Sequence, residues 1–105
     1  MRRGAIWLVN LEPKVASEIK NSRPCVVVSP AELNDHLRTV IAAPMTSKGS
    51  AAPFRVALTH GGTKGLILLD QVRTVDKARL AKKLGTVSVK TLAATLAVLQ
   101  EVFAA

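Results

Sequence analysis

The apolar residues of this chain come in short runs, and prolines and glycines cut the runs apart. Ala5–Val9 is closed off by Glu12 and Pro13, Val26-Val27-Val28 sits between Pro24 and Pro30, and Thr39–Ala43 stops at Pro44. Phe54–Leu58 follows Pro53, and Gly65–Leu69 follows Gly61-Gly62. Runs this short and this rich in β-branched residues are strands, because proline supplies no ladder N–H and glycine favours turns. The pattern predicts strands at Ala5–Asn10, Pro24–Ser29, Thr39–Ala43, Phe54–Leu58, Gly65–Leu69 and Gln71–Val75, with the last at a sheet edge. Pro30–Asp35 suits a helical turn, His60-Gly61-Gly62 is a turn, and residues 11–23 and Met45–Ala52 read as long surface loops. The end of the chain differs. Leu92, Leu96, Leu99 and Phe103 recur every three or four residues behind Ser88, an N-cap. That spacing predicts an amphipathic helix of about four turns whose apolar stripe covers the sheet. A mainly β fold with one C-terminal α-helix follows, a small barrel or a strongly bent sheet.

A chain of 105 residues that is 49% apolar makes one domain, spanning 1–105, and excludes a disordered polybasic tail. The single cysteine, Cys25, excludes an intramolecular disulfide framework and a multi-cysteine metal site. The longest stretch without a charge, Thr91–Gln100, is far short of the roughly 18 residues that cross a bilayer. Met1-Arg2-Arg3-Gly4 and the apolar residues after it resemble the start of a secretory signal, but Glu12 and Pro13 interrupt them and no small-x-small cleavage site follows. A cytoplasmic protein without membrane association is expected. The net charge of +8 is uneven: residues 1–23 carry +3, residues 24–63 carry +1, residues 64–90 carry +5 and residues 91–105 carry −1. Two basic blocks that fold onto one face suit a polyanion, since Lys and Arg release counterions from phosphates on binding.

The chemistry-bearing residues are few. His36 and His60 are 24 positions apart with no acidic or cysteine cluster spaced for a metal, so no metal or other cofactor is expected. A nuclease of the two-histidine kind is an alternative, but neither histidine has a recognisable local pattern to support it. Cys25 lies within an apolar run and reads as a small core residue. Gly61-Gly62-Thr63-Lys64-Gly65 lacks the spacing and the following helix of a phosphate loop. Arg23-Pro24 is more informative, because the residue before proline is forced to be extended, which holds an arginine at the mouth of a strand. At Pro44-Met45-Thr46-Ser47 a strand ends and two hydroxyls follow. A guanidinium and hydroxyl donors at adjacent strand ends make a phosphate clamp. Trp7, Phe54 and Phe103 are the only aromatics, and Trp7 and Phe103 are assigned to the core, so a base-stacking platform is not expected.

Arg3-Gly4-x-Ile6-Trp7-Leu8-Val9-x-Leu11-x-Pro13 resembles the opening of the MazF/PemK-type toxins of bacterial toxin–antitoxin systems. Glu18, Ser22-Arg23-Pro24-x-Val26-Val27-Val28-Ser29 and Pro44-x-Thr46-Ser47 resemble later blocks of that family, as does Gly65 to Gly85 with Asp70-Gln71-Val72-Arg73-Thr74-Val75-Asp76-Lys77-x-Arg79-Leu80. The blocks cover almost the whole chain in the family's order. The resemblance implies an SH3-like barrel of the MazF/CcdB/Kid toxin type with a C-terminal helix, assembled as a homodimer. It implies a metal-independent endoribonuclease that cuts single-stranded RNA, chiefly mRNA, at short sequences, and a cognate antitoxin that occupies the RNA groove. By position, Arg23 and Thr46 match the family's catalytic pair, and Glu18 matches an acidic loop residue with a catalytic or substrate-binding role. Asp70 and Gln71 match positions lining the RNA groove. Lys20, Ser47 and Lys48, in the two loops, are assigned to RNA binding with them. Some relatives carry a further arginine two residues before the aspartate. Here that place is Leu68, so their proton-transfer scheme does not carry over.

The implied reaction is attack of a ribose 2′-hydroxyl on the adjacent phosphorus, leaving a 2′,3′-cyclic phosphate and a 5′-hydroxyl. Arg23 is expected to hold the pentacoordinate phosphate, Thr46 to add a hydrogen bond and Glu18 to act as base. No residue stands out as the acid for the leaving oxygen. Two rivals remain at this point. One is a gyrase poison of the CcdB type, although the helix ends Gln100-Glu101-Val102-Phe103-Ala104-Ala105 and lacks the Trp-Gly-Ile ending of those proteins. The other is an RNA-binding barrel without activity.

Overall fold

The computed structural model describes residues 1–11 and 22–105. The short runs pair as antiparallel strands: β1 (Ala5–Asn10), β2 (Ser22–Val27), β3 (Thr39–Thr46), β4 (Arg55–His60), β5 (Thr63–Leu68), β6 (Arg73–Asp76) and β7 (Leu80–Thr86). A short helix, α1 (Ala31–Asn34), lies between β2 and β3, and α2 (Val89–Val102) ends the fold. Single 3-10 turns at Leu69–Gln71 and Lys77–Arg79 flank β6. The sheet order is β4-β5-β3-β2-β1-β7, with β6 also paired to β3. The result is a bent half-barrel with a C-terminal helix, the mainly β architecture expected.

Several boundaries differ from the sequence reading. Strand β5 runs from Thr63 to Leu68 and not from Gly65 to Leu69, and β6 runs from Arg73 to Asp76 because Leu69–Gln71 is taken by the 3-10 turn. Strand β3 does not stop at Pro44 but continues to Thr46. Along one edge it pairs with β6 through Thr39–Ala42 and then with β5 through Met45 and Thr46. Pro44 falls in the gap between those pairings, the one stretch of that edge with no ladder N–H to supply. Strand β2 begins at Ser22, so Arg23 is within a strand and not in the preceding loop. Strand β4 extends through His60. Strand β7, which the sequence reading did not include, forms an edge against β1, with two register shifts along the pairing.

Both faces of the sheet are covered. Ile6, Val26, Ala43, Ile67 and Leu69 form the larger cluster, against which Leu92, Val98 and Leu99 of α2 pack. Val9, Cys25, Val27, Val40 and Val75 form a second cluster on the other face. Helix α2 starts where expected: Ser88 Oγ accepts a hydrogen bond from Thr91 N at 3.0 Å and caps one free N–H. Its stripe is shorter than expected. The helix ends at Val102, and Phe103 forms its C-cap with 74% of its surface exposed, outside the core to which the sequence reading assigned it.

Candidate active site

In the β2–β3 pairing Cys25 lies opposite Pro44, Val26 opposite Ala43 and Val27 opposite Ala42. Continued two residues beyond Cys25 and Pro44, the same register sets Arg23 opposite Thr46. Strand side chains alternate with period two, so both lie on one face. A guanidinium and a hydroxyl from segments 23 positions apart are thus adjacent at the end of two neighbouring strands. They line one cavity of about 500 Å³, together with Ser47, Lys48, His60 and Lys64. Three of its side chains, Arg23, Lys48 and Lys64, are cations, and none of its described lining residues is a carboxylate. That charge balance fits a phosphate-bearing ligand.

Thr46 Oγ1 accepts a hydrogen bond from Lys48 N at 3.1 Å. The contact turns the chain back over the strand end and leaves the threonine's own proton available for a phosphate oxygen. Strand β5 comes close here: a Cβ added to Gly65 would lie 3.0 Å from Thr46 O, so glycine permits the approach. Cys25, two residues from Arg23, is buried, and burial pushes its thiol up to about 12 against the opposing pull of the Arg23 and Arg73 charges. It is a protonated core residue and not a nucleophile.

The other expected site residues are distributed as follows. Ser47 and Lys48 line the cavity with Arg23 and Thr46. Asp70 and Gln71 lie on the 3-10 turn after β5 and do not line it. Asp70 Oδ1 is 3.5 Å from Arg55 Nε, close enough for an ion pair though not for a good hydrogen bond. Arg55 sits directly opposite Leu68 in the β4–β5 ladder. The guanidinium beside Asp70 therefore comes from the neighbouring strand, across from the position where some relatives carry theirs. Glu18 and Lys20 lie outside the described residues. Among the described residues, no three His, Cys, Asp or Glu side chains come together as a metal site would require. His36 is exposed at the end of α1, with Nδ1 2.7 Å from Glu32 O.

Among the lining residues that sequence reasoning did not assign to the site are His60, Thr63 and Lys64. A signal for His60 was available: extending the alternation Val56, Leu58 by one step puts His60 on the same face of β4.

The comparisons decide the family. The profile of the PemK-like, MazF-like toxins of type II toxin–antitoxin systems matches residues 2–103. The chain belongs to this family. It is 42% identical over 90 residues to the endoribonuclease PemK of Escherichia coli, covering 80% of this chain and 68% of that protein. It is 36% identical over 88 residues to the endoribonuclease toxin MazF of Escherichia coli strain K12, covering 83% and 78%. Among solved structures, MazF from Deinococcus radiodurans superimposes with a TM-score of 0.82 at 29% identity, over 100% of this chain and 97% of that one. The MazE–MazF complex of the same organism gives a TM-score of 0.81 at 28% identity, over 99% and 95%. No described helix of this PemK/MazF-family chain is long and apolar enough to cross a membrane.

Proposed function

We propose that the cavity between Arg23 and Thr46 is where this endoribonuclease toxin cleaves single-stranded RNA, chiefly mRNA, at short sequences and without a metal. The observation that carries this reading is the register that sets Arg23 opposite Thr46 in a cavity lined by three cations. The 2′-hydroxyl attacks the adjacent phosphorus in line, the bond to the 5′-oxygen breaks, and a 2′,3′-cyclic phosphate and a 5′-hydroxyl result. Negative charge builds up on the non-bridging oxygens in the transition state. Arg23 meets it with a planar, cationic fork of donors. Thr46 adds a preorganised hydroxyl donor, of a kind typically worth about 10²–10³ in rate. Glu18 takes the 2′-hydroxyl proton. Ser47 and Lys48 bind the flanking phosphates, and Lys20, Asp70 and Gln71 contact neighbouring nucleotides. DNA lacks the nucleophile, so it is bound but not cut.

The toxin acts in the cytoplasm as a homodimer, slows translation and growth, and is neutralised by a cognate antitoxin that covers the RNA groove. The likeness to a MazF solved with MazE supports the antitoxin. The test is incubation of the purified protein and of Arg23→Ala with a long single-stranded RNA in EDTA, followed by mapping of the ends. Discrete cuts with 5′-hydroxyl ends, absent in the variant, are expected. RNA bound but left whole by folded wild type would instead mean a binding protein, and inhibition of gyrase without cutting would mean a topoisomerase poison.

A further inference from the structure

We propose that His60 is the general acid that protonates the leaving 5′-oxygen during RNA cleavage in this cavity. The inference deepens the reading above and rests on it. Val56, Leu58 and His60 share the inward face of β4, so a row that begins in the core ends in an imidazole at the cavity wall. The same cavity takes in Arg23 and Thr46 from the ends of β2 and β3. The imidazole is half-buried, and its ring nitrogens have no hydrogen-bond partner among the described residues.

The ring is also held in place. A Cβ added to Gly85 on β7 would lie 3.0 Å from His60 Cε1 and 3.8 Å from Nδ1. Strands β4 and β7 are the two free ends of the sheet order, and here the ring on one turns its Cε1 edge toward Gly85 on the other. Gly85 has φ +155°, a conformation that a side chain would strain. A side chain at 85 would both fill the ring's place and distort the strand beneath it.

The chemistry leaves this role open. The charged groups that line the cavity with His60 are Arg23 on β2, Lys48 after β3 and Lys64 on β5. Guanidinium and ammonium groups hold their protons too tightly near neutral pH to donate one readily, and the lining hydroxyls are weaker acids still. Imidazole is the side chain that gives and takes a proton in that range. In the step, the 2′-oxygen–phosphorus bond forms as the phosphorus–5′-oxygen bond breaks. The 2′-hydroxyl proton passes to the general base and the imidazolium proton passes to the 5′-oxygen. Both groups then return to their starting forms by exchange with water, and no redox change is involved.

The test uses an RNA oligonucleotide carrying the mapped cut sequence, made with either an ordinary linkage or a sulfur in place of the leaving 5′-oxygen. A thiolate leaves without needing a proton. Both His60→Ala and His60→Gln should slow cleavage of the ordinary linkage by about 10²-fold or more. On the sulfur linkage both should cut at the wild-type rate. Equal slowing on the two linkages would make His60 merely structural, and an unchanged rate on the ordinary linkage would overturn the proposal outright. Loss of cleavage on both linkages in Arg23→Ala separates this question from the wider one. If folded wild type cuts neither linkage, the endoribonuclease reading falls and this one with it.

Discussion

The two ends of the β2–β3 pair use polar side chains in opposite ways. At the end beyond Val27, Ser29 and Asn34 are buried. Ser29 Oγ accepts from Ile41 N at 2.9 Å and donates to Asn34 Oδ1 at 2.5 Å. Asn34 Nδ2 donates to Ser29 O at 2.9 Å and to Met1 O at 3.2 Å, and Asn34 O accepts from Lys77 Nζ. At the other end Arg23, Thr46, Lys48, His60 and Lys64 line a cavity, with most of their hydrogen-bonding capacity unspent among the described residues. Solvation accounts for the difference. A buried polar group must be satisfied internally or it costs stability, whereas a group at an open rim is kept for a ligand. Stability should therefore depend on the Ser29–Asn34 end and chemistry on the Arg23–Thr46 end.

The strongest way to break that division is Arg23→Ala. It should lower the cleavage rate by about 10³-fold or more, because it removes the charge that meets the transition state. Its melting temperature should match wild type, since the side chain is exposed. A variant that melted early would show that the cavity end also holds the fold. Thr46→Val keeps the shape and removes one hydroxyl donor, and single-turnover kinetics should show a loss of about 10²-fold. The opposite result is expected of Asn34→Ala. It leaves Ser29 and the Met1 carbonyl short of partners, at a cost of about 2 kcal/mol. That corresponds to a fall of about 10 °C in a thermal melt. Below the melt the rate per folded molecule should stay at the wild-type value.

The division was half legible in the sequence. Arg23-Pro24 and Pro44-Met45-Thr46-Ser47 stood out as strand ends carrying donors. Their adjacency did not, because it depends on a register fixed by the buried run Cys25–Val27 against Ala42–Pro44. Pro44 read as a stop because the change of partner from β6 to β5, which makes it harmless, is a tertiary event. Strand β7 was hidden because Lys82 and Lys83 face solvent within a basic block, a composition that suits an edge strand but obscures its alternation. Arg55 could not be linked to Asp70 by reading along the chain, since the link runs across the ladder opposite Leu68. His60 was visible only to a reader who carried the alternation of β4 past Leu58.

The smallest expected effect tests whether the stable end depends on its buried network or on the charges around it. The N-terminal ammonium of Met1 lies 3.0 Å from Asp35 Oδ1, and Asp35 follows Asn34 directly. The hydrogen bond from that ammonium, and then its charge, hold the Asp35 carboxyl below its usual value of 3.8, with Lys77 and His36 adding to the pull. A carboxyl depressed in the folded state contributes stability that is fully present above its unfolded value and is lost as pH falls through the folded one. Wild type and Asp35→Asn should therefore differ in melting temperature near neutral pH and converge as acid protonates the carboxylate. Asp35 is 58% exposed, so the difference should be small and should shrink further as salt is added. A loss as large as that of Asn34→Ala would place the stability of this end in its ionic rim. A small, salt-sensitive loss would assign it to the buried Ser29–Asn34 network, because solvent screens the rim and cannot reach the hydrogen bonds beneath it.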